Sequence, residues 1–476
     1  MKLKEILSGI CVTKLCADPE TEITGVECDS RKVKPGCLFV AVRGYETDGH
    51  KFIPQAIQNG AACVLCCDEQ DGIPYCLTDN TRIGLAVTAA NFYGRPADKM
   101  KIIGVTGTNG KTTTTNLIKT MLELDGHKVG LVGTNGNMIG ADMLPTERTT
   151  PESNELQALF KTMYDAGCDT VVMEVSSHAL YLDRVGGIEF EVGVFTNLTE
   201  DHLDFHKTML EYGKAKAIMF TKCRHASINV DDEYADIMLK ASTVKPLRYS
   251  CKDGDMTAKN LVLHADGVEF DLTYEEKTVR AKLAIPGKFS VYNAMSAISA
   301  CVLCGVSLEK CAEYLALCHG VMGRAEVVPT GRDFTMLIDY AHTPDAMENI
   351  IKTVRGVAKG RVVTLFGCGG DRDSQKRPIM GKIAADLSDF VIVTTDNPRT
   401  EVPADIINDI LAGMKDTKTP YIVIENRREA IGWAVENAQK DDVVILAGKG
   451  HETYQIIGKE KFHFDEREVI RDFLAK

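Results

Sequence analysis

Short apolar runs ended by turn residues recur along this chain. KIIGVTG from Lys101, TVVMEV from Thr170, TMLIDY from Thr335, GRVVTLFG from Gly360, DFVIVTTD from Asp389 and DDVVILAG from Asp441 all have this character. Their length and Val/Ile/Leu content predict buried parallel strands. Helix-like stretches such as TNLIKTMLELDG alternate with them, so the chain is expected to be α/β, with sheets flanked by helices. Turn residues divide it into three segments: Pro96 and Asp98 in YGRPADKM close the first, Pro329 and Gly331 in VVPTGRDF the second. Three domains are therefore expected. A smaller N-terminal α/β domain covers 1–98, a central P-loop parallel-sheet domain 99–329, and a C-terminal Rossmann-like domain 330–476.

Composition narrows the function classes. The 476 residues carry a net charge of -12 and are 44% hydrophobic, an ordinary globular balance. The acidic balance argues against a nucleic-acid partner, although a site can still be locally basic. No run approaches the roughly 20 apolar residues of a membrane span. The first residues, broken by Lys14 and Asp18, do not read as a signal peptide. A cytoplasmic protein without a membrane partner is expected, its 16 cysteines reduced. Cys63/Cys66 and Cys301/Cys304 have C-x-x-C spacing, which suits a metal or redox site. Both pairs lie in apolar runs and are expected as small core residues instead.

GVTGTNGKTTTTN, Gly104 to Asn116, is the sharpest signal. A strand, a Gly-rich turn, Lys111-Thr112 and then a helix is the context of a phosphate cradle. Gly107, Thr108, Asn109 and Gly110 would surround ATP phosphates. Lys111 would reach the β- and γ-phosphates, and Thr112, followed by Thr113, would face Mg²⁺. Val105 stands where the usual P-loop has its first Gly. The motif says ATP and does not specify the reaction.

GTNGKTT after a strand resembles the Mur ligases and the folylpolyglutamate synthetases, ATP-dependent enzymes that join an amino acid to a carboxylate through an acyl phosphate. Family order then gives meaning to residues that are bland alone. Glu174 could be a surface acid, His202 a structural histidine and Lys216 a solvated helix residue. The resemblance makes them catalytic and, with Thr112, the Mg²⁺ ligands, Lys216 being carbamylated. An unmodified lysine has no acceptor for a metal, whereas a carbamate offers two oxygens. It also implies nucleotide contacts at Asn293 in PGKFSVYNAMS, Arg324 in GVMGRAEVV, and Asp339 and His342 in DYAHTPDAM. A site shared by two domains implies closure on ATP.

Motifs of the family cover the whole chain. Those of the diaminopimelate-adding branch match best. GVECDSRKVKPGCLFVAVRGYETDGHKF resembles its UDP-binding domain, with Ser30 a uridine-side contact. Thr149, Thr150, Ser176 and Arg184 match positions that hold a UDP-MurNAc-dipeptide; Leu182 departs from the polar Gln of some members. Asp396-Asn397-Pro398-Arg399, with Arg372, Gly448 and Glu452, matches the diaminopimelate site. Arg399 offers a fork for the distal carboxylate that L-lysine lacks. Read alone, Arg399 would be a turn residue paired with an acid such as Glu401. The resemblance thus implies an ATP-dependent ligase that adds meso-diaminopimelate to UDP-MurNAc-L-Ala-D-Glu for peptidoglycan precursors, acting as a monomer. The alternatives are the same ligase using L-lysine, a folylpolyglutamate-synthetase-like ligase, and a P-loop NTPase switch.

Overall fold

The computed structural model describes residues 1–476 apart from 45, 46, 145, 147, 265, 319 and 476. Two compact units emerge: Met1–Thr257 with Met295–Cys311, and Ala258–Ala294 with Ala312–Lys476.

The first unit opens with a five-stranded sheet of order β1-β5-β4-β3-β2, made of β1 (Lys14–Cys16), β2 (Gly25–Glu27), β3 (Cys37–Val40), β4 (Cys63–Cys66) and β5 (Tyr75–Leu77). Strands β3 and β4 are buried along their whole length, as their unbroken apolar sequences require. Cys63 and Cys66 lie on β4, and the Cys63 thiol stands 3.6 Å from that of Cys76 on β5. Burial pushes the Cys66 thiol up to about 12. Cys301 is buried in the helix Lys288–Leu303, which Cys304 follows. Cys63, Cys66 and Cys301 are core groups, and Cys304 is partly buried.

The same unit holds β6 (Lys101–Thr106), β7 (Val129–Val132), β8 (Asn137–Ile139), β9 (Asp142–Leu144), β10 (Thr170–Glu174), β11 (Phe190–Phe195), β12 (Cys223–Asn229) and β13 (Leu247–Ser250). Their order is β9-β8-β7-β10-β6-β11-β12-β13. All pairs from β7 to β13 are parallel. β6 is central, so the loop after it emerges at the middle of the sheet's carboxyl edge, where open α/β sheets bind ligands.

β14 (Met256–Leu263) leads into the second unit, where β15 (Val268–Tyr274) and β16 (Lys277–Leu283) form an antiparallel hairpin. A second sheet contains β17 (Glu326–Val328), β18 (Thr335–Asp339), β19 (Val362–Phe366), β20 (Phe390–Val393), β21 (Tyr421–Val423) and β22 (Val443–Ala447), ordered β17-β18-β22-β19-β20-β21. Only β17 runs antiparallel. The hairpin of β23 (Tyr454–Ile457) and β24 (Glu460–His463) lies outside that sheet. Among the described residues no helix is long and apolar enough to cross a membrane.

Candidate active site

Gly107 has φ of 151°, and a Cβ there would lie 1.9 Å from the Thr196 hydroxyl. Only glycine lets the loop pass that side chain. Thr196 Oγ1 donates to the Asn109 carbonyl (2.7 Å), and Asn197 Oδ1 accepts from the Asn109 amide (2.9 Å). The end of β11 thus holds the loop open as a cradle. Gly110, at φ 84°, turns the chain into the helix Lys111–Leu124.

At the start of that helix, Thr112 Oγ1 donates to Oε1 of Glu174 (3.0 Å), the buried last residue of β10. Thr134 donates to the same carboxylate twice, from its amide (2.9 Å) and its hydroxyl (3.1 Å). Lys111 Nζ donates to the carbonyls of Gly107 (3.0 Å) and Thr108 (2.8 Å). Lys216, on the helix Met209–Ala217, reaches the same Gly107 carbonyl (2.8 Å). It is not a solvated helix residue: only 1% of it is exposed. Burial, reinforced by the neighbouring Lys111 charge, holds the Lys216 amine well below the usual lysine range.

Tyr212 gathers this cluster. Its hydroxyl lies 3.2 Å from Thr108 Oγ1, its ring 4.5 Å from Lys216 Nζ, and its centroid 6.1 Å from that of His202. Four residues separate it from Lys216, one helical turn. His202 is half exposed, at φ 53°, with its ring 4.9 Å from that of His178 and its Nε2 3.3 Å from Asp201. Among the described residues no three His, Cys, Asp or Glu side chains form a group able to hold a metal by themselves. A carboxylate and a hydroxyl at a phosphate cradle fit a hard cation that takes its other ligands from phosphates and water, as Mg²⁺ does.

A cleft of about 320 Å³ in the first unit is lined by Lys32, Asn137, Thr146, Arg148, Pro151, Glu155 and Leu159. Beside it, Thr149 Oγ1 meets Thr134 Oγ1 (3.0 Å), and Thr150 Oγ1 donates to the Glu174 carbonyl (2.9 Å). Ser176 caps its helix by accepting from Ala179, and Arg184 pairs with Glu152 (2.7 Å). The Ser30 hydroxyl donates to Gln55 Oε1 (2.7 Å) within the N-terminal sheet region.

The second unit has a cleft of about 440 Å³ at the carboxyl ends of β19, β20 and β22, lined among others by Arg372, Asp396, Asn397, Arg399, Gly448 and Glu452. Arg399, at φ 51°, donates from Nη1 to the Gly370 carbonyl (2.7 Å). Glu401 pairs with Arg377 (2.8 Å) instead, which rules out the Arg399–Glu401 pairing as the reason for this turn. A Cβ on Gly370 would meet the Pro398 carbonyl oxygen at 1.9 Å, so the two loops interlock only around glycine. The β23–β24 hairpin fastens the turn: Arg399 N donates to the Ile456 carbonyl (3.1 Å) and Gly458 N to that of Arg399 (2.7 Å). Below, buried Arg427 donates to the carbonyls of Thr395 (3.3 Å) and Ala447 (3.0 Å) and to Glu466 (2.8 Å).

Also in the second unit, Arg324 stacks over Tyr340 (5.1 Å), and among the described residues its buried Nε has no hydrogen-bond partner, which suits an anionic ligand. Asp339 accepts from the Ala325 amide (2.7 Å), and burial raises its carboxyl above the usual range. The His342 Nδ1 lies 2.8 Å from the Tyr340 carbonyl oxygen, and burial lowers the imidazole. Asn293 is buried in the helix Lys288–Leu303.

Comparison with known proteins decides the family. Three family models match: the Mur ligase family catalytic domain over 22–100, the Mur ligase middle domain over 105–301, and the Mur ligase glutamate ligase domain over 323–450. A Clostridium acetobutylicum protein named UDP-N-acetylmuramoyl-L-alanyl-D-glutamate--2,6-diaminopimelate ligase 1 is 48% identical over 482 residues, covering all of both chains. The chain belongs to the Mur ligase family. A Bacillus cereus Mur ligase of the same 2,6-diaminopimelate name is 44% identical, over 100% of this chain and 99% of its own. A solved structure of such a diaminopimelate Mur ligase superposes with a TM-score of 0.77 at 32% identity, covering 100% of this chain and 99% of the other. The fold is also that of Thermotoga maritima MurF solved with ADP: TM-score 0.62, 18% identity, 95% and 97% covered.

Against this Mur ligase frame, each unit gathers its own part of the expected set. The first brings together Gly107 to Thr113, Glu174, Lys216 and, through Tyr212, His202. The second brings Arg372, Asp396, Asn397, Arg399, Gly448 and Glu452 to one cleft, while Pro398, in the same turn, does not line it. Sequence reasoning missed Thr134, Tyr212, Arg377, Arg427 and Lys449. Tyr212 carried a usable signal, its four-residue spacing from Lys216.

Proposed function

We propose that this chain is an ATP-dependent ligase that adds meso-2,6-diaminopimelate to the D-Glu of UDP-MurNAc-L-Ala-D-Glu in peptidoglycan precursor synthesis. The observation that carries the reading is a cleft holding Arg399, Asn397 and Glu452 in a chain 48% identical, end to end, to a ligase of that name. The three family matches support domains near 1–98, 99–329 and 330–476, the last sheet also taking in Glu326–Val328. The net charge of -12 supports a protein without a nucleic-acid partner, here read as a cytoplasmic monomer.

The chemistry follows from two anions that must react. The γ-carboxylate of D-Glu attacks the γ-phosphate of ATP, the P–O bond to ADP breaks, and an acyl phosphate forms. Lys111 and the cradle amides of Gly107 to Gly110 offset charge on the phosphates. Thr112, Glu174, His202 and Lys216, once carbamylated, would hold Mg²⁺, which would supply further positive charge there. Asn293, Arg324, Asp339 and His342 orient the nucleotide, while Ser30, Thr149, Thr150, Ser176 and Arg184 hold the UDP-MurNAc-dipeptide. In the acceptor cleft, Arg399 and Arg372 take a carboxylate of diaminopimelate and Glu452 an ammonium. The free amine attacks the acyl carbon, the tetrahedral intermediate expels phosphate, and an amide remains.

The test is phosphate release with MgATP and UDP-MurNAc-L-Ala-D-Glu, comparing meso-diaminopimelate with L-lysine and weighing the product. Turnover with diaminopimelate is expected. Turnover with lysine alone would keep the ligase and discard the acceptor assignment. ATP hydrolysis without acceptor dependence would favour an NTPase switch.

A further inference from the structure

Lys449 does not line the acceptor cleft; it lies sealed beneath it. It follows β22 in a turn closed by the Glu452 amide donating to the Lys449 carbonyl (3.0 Å). Its side chain is 0% exposed. Nζ donates to Glu452 Oε2 (3.2 Å) and Asn397 Oδ1 (3.2 Å), and Asn397 Nδ2 donates to the same Glu452 oxygen (2.8 Å). The three side chains close a triangle. Asn397 Oδ1 also accepts from the Ile456 amide (2.9 Å), which fixes the amide's orientation. Tyr454 and Phe464 ring centroids stand 5.8 and 5.9 Å from Nζ, so the ammonium is packed among rings on its other side.

A buried ammonium is tolerated only where partners offset its desolvation. Here the partners are two residues of the acceptor cleft. We propose that Lys449 is a positioning and specificity-determining residue for the acceptor amino acid. It acts through Glu452 and Asn397, and the inference rests on the acceptor reading above. One effect is geometric: with Oε2 of Glu452 held from behind by two donors, the carboxylate has one orientation. The other is electrostatic. The cleft wall carries three cations, Arg372, Lys376 and Arg399, against three anions, Asp373, Asp396 and Glu452. Lys449 tips that balance to positive. Diaminopimelate, with two carboxylates and two ammonium groups, is neutral overall, whereas L-lysine carries a net positive charge. A positive cleft penalises lysine.

The test is steady-state ligation by full-length wild type, K449M and K449Q at saturating ATP and UDP-MurNAc-dipeptide, with diaminopimelate and L-lysine each varied. K449M is expected to raise KM for diaminopimelate about 10-fold or more, about 1.4 kcal/mol. Its preference for diaminopimelate over lysine should fall, while dipeptide-dependent ADP formation stays at the wild-type level. In an E452A background the added effect of K449M on KM should shrink, because the two residues act as a unit. K449Q keeps a donor without the charge, and should lose selectivity even if K449M fails to fold. Unchanged KM and selectivity in a folded K449M or K449Q, or full additivity with E452A, would overturn the proposal. A wild type that ligates neither amino acid would bring down the functional reading, a pattern distinct from a wild type and variant that ligate alike.

Discussion

Lys111 and Lys216 aim their amines at one acceptor, the carbonyl oxygen of Gly107, at 3.0 and 2.8 Å. The shared target places two lysines side by side, one buried, and this crowding helps hold the Lys216 amine well below its usual range. A neutral amine is the form that attacks CO₂: the N–C bond forms, a proton leaves, and a carbamate results. Native mass spectrometry of the intact protein under bicarbonate should find one added CO₂ that the Lys216→Ala protein lacks. Lys216→Ala should lower ligation about 100-fold or more, and short carboxylates should restore part of it. Near-normal turnover by Lys216→Ala would remove this residue from the mechanism.

Arg399→Ala should lower kcat/KM for diaminopimelate about 100-fold and erase most of the preference over lysine. ADP formation that depends only on the UDP-MurNAc-dipeptide should persist. Arg399→Lys should recover little, since a point charge does not replace the planar fork. Retained selectivity in Arg399→Ala would assign the choice of acceptor to other groups.

Gly370→Ala tests the interlocked loops without replacing a charged residue. The added methyl would meet the Pro398 carbonyl oxygen, and a backbone atom cannot swing aside as a side-chain tip does. A loss of about 1–3 kcal/mol is expected, together with a raised KM for the acceptor. Equal thermal midpoints and equal KM would show that the turn adapts freely.

His451 gives a pH signature. Burial, with the charges of Arg324 and Arg467, pushes its imidazole down to about 4 from 6.5. Between those values the unfolded chain binds a proton that the folded chain refuses, so stability falls as pH drops from about 6.5 towards 4 and levels off below. Among the described residues its buried Nδ1 has no hydrogen-bond partner, so none of them offers an acceptor that offsets the charge. Urea midpoints at pH 7.5 and 5 should differ more in wild type than in His451→Gln. An identical difference in both would place the pH dependence elsewhere.

The parallel strands were legible because each apolar run carries its own evidence. TMLIDY, GRVVTLFG, DFVIVTTD and DDVVILAG became β18, β19, β20 and β22, with the acceptor cleft at their carboxyl ends. The P-loop was legible for the same local reason, since its glycines and Lys111 are consecutive. Burial of Lys216 was not, because a lysine on an amphipathic helix normally faces water and only the fold reveals Tyr212 and Gly107 around it. Thr134 was invisible too: it reaches Glu174 across 40 positions. Lys449 and Arg427 carry no local sign of burial in the sequence, and their acid partners lie 3 and 39 residues away.

The Arg427–Glu466 pair ties the helix Glu466–Leu474 to the floor of the proposed acceptor cleft. Glu466 begins the terminal helix Glu466–Leu474, while Arg427 grips the backbone under β20 and β22. Trimming the chain before Glu466 would leave a guanidinium stranded in the protein interior, at a cost of about 3–5 kcal/mol. The floor beneath Asp396 and Gly448 would then give way, although neither residue had been altered. A helix that supplies none of the cleft-lining residues would thereby set the shape of the cleft.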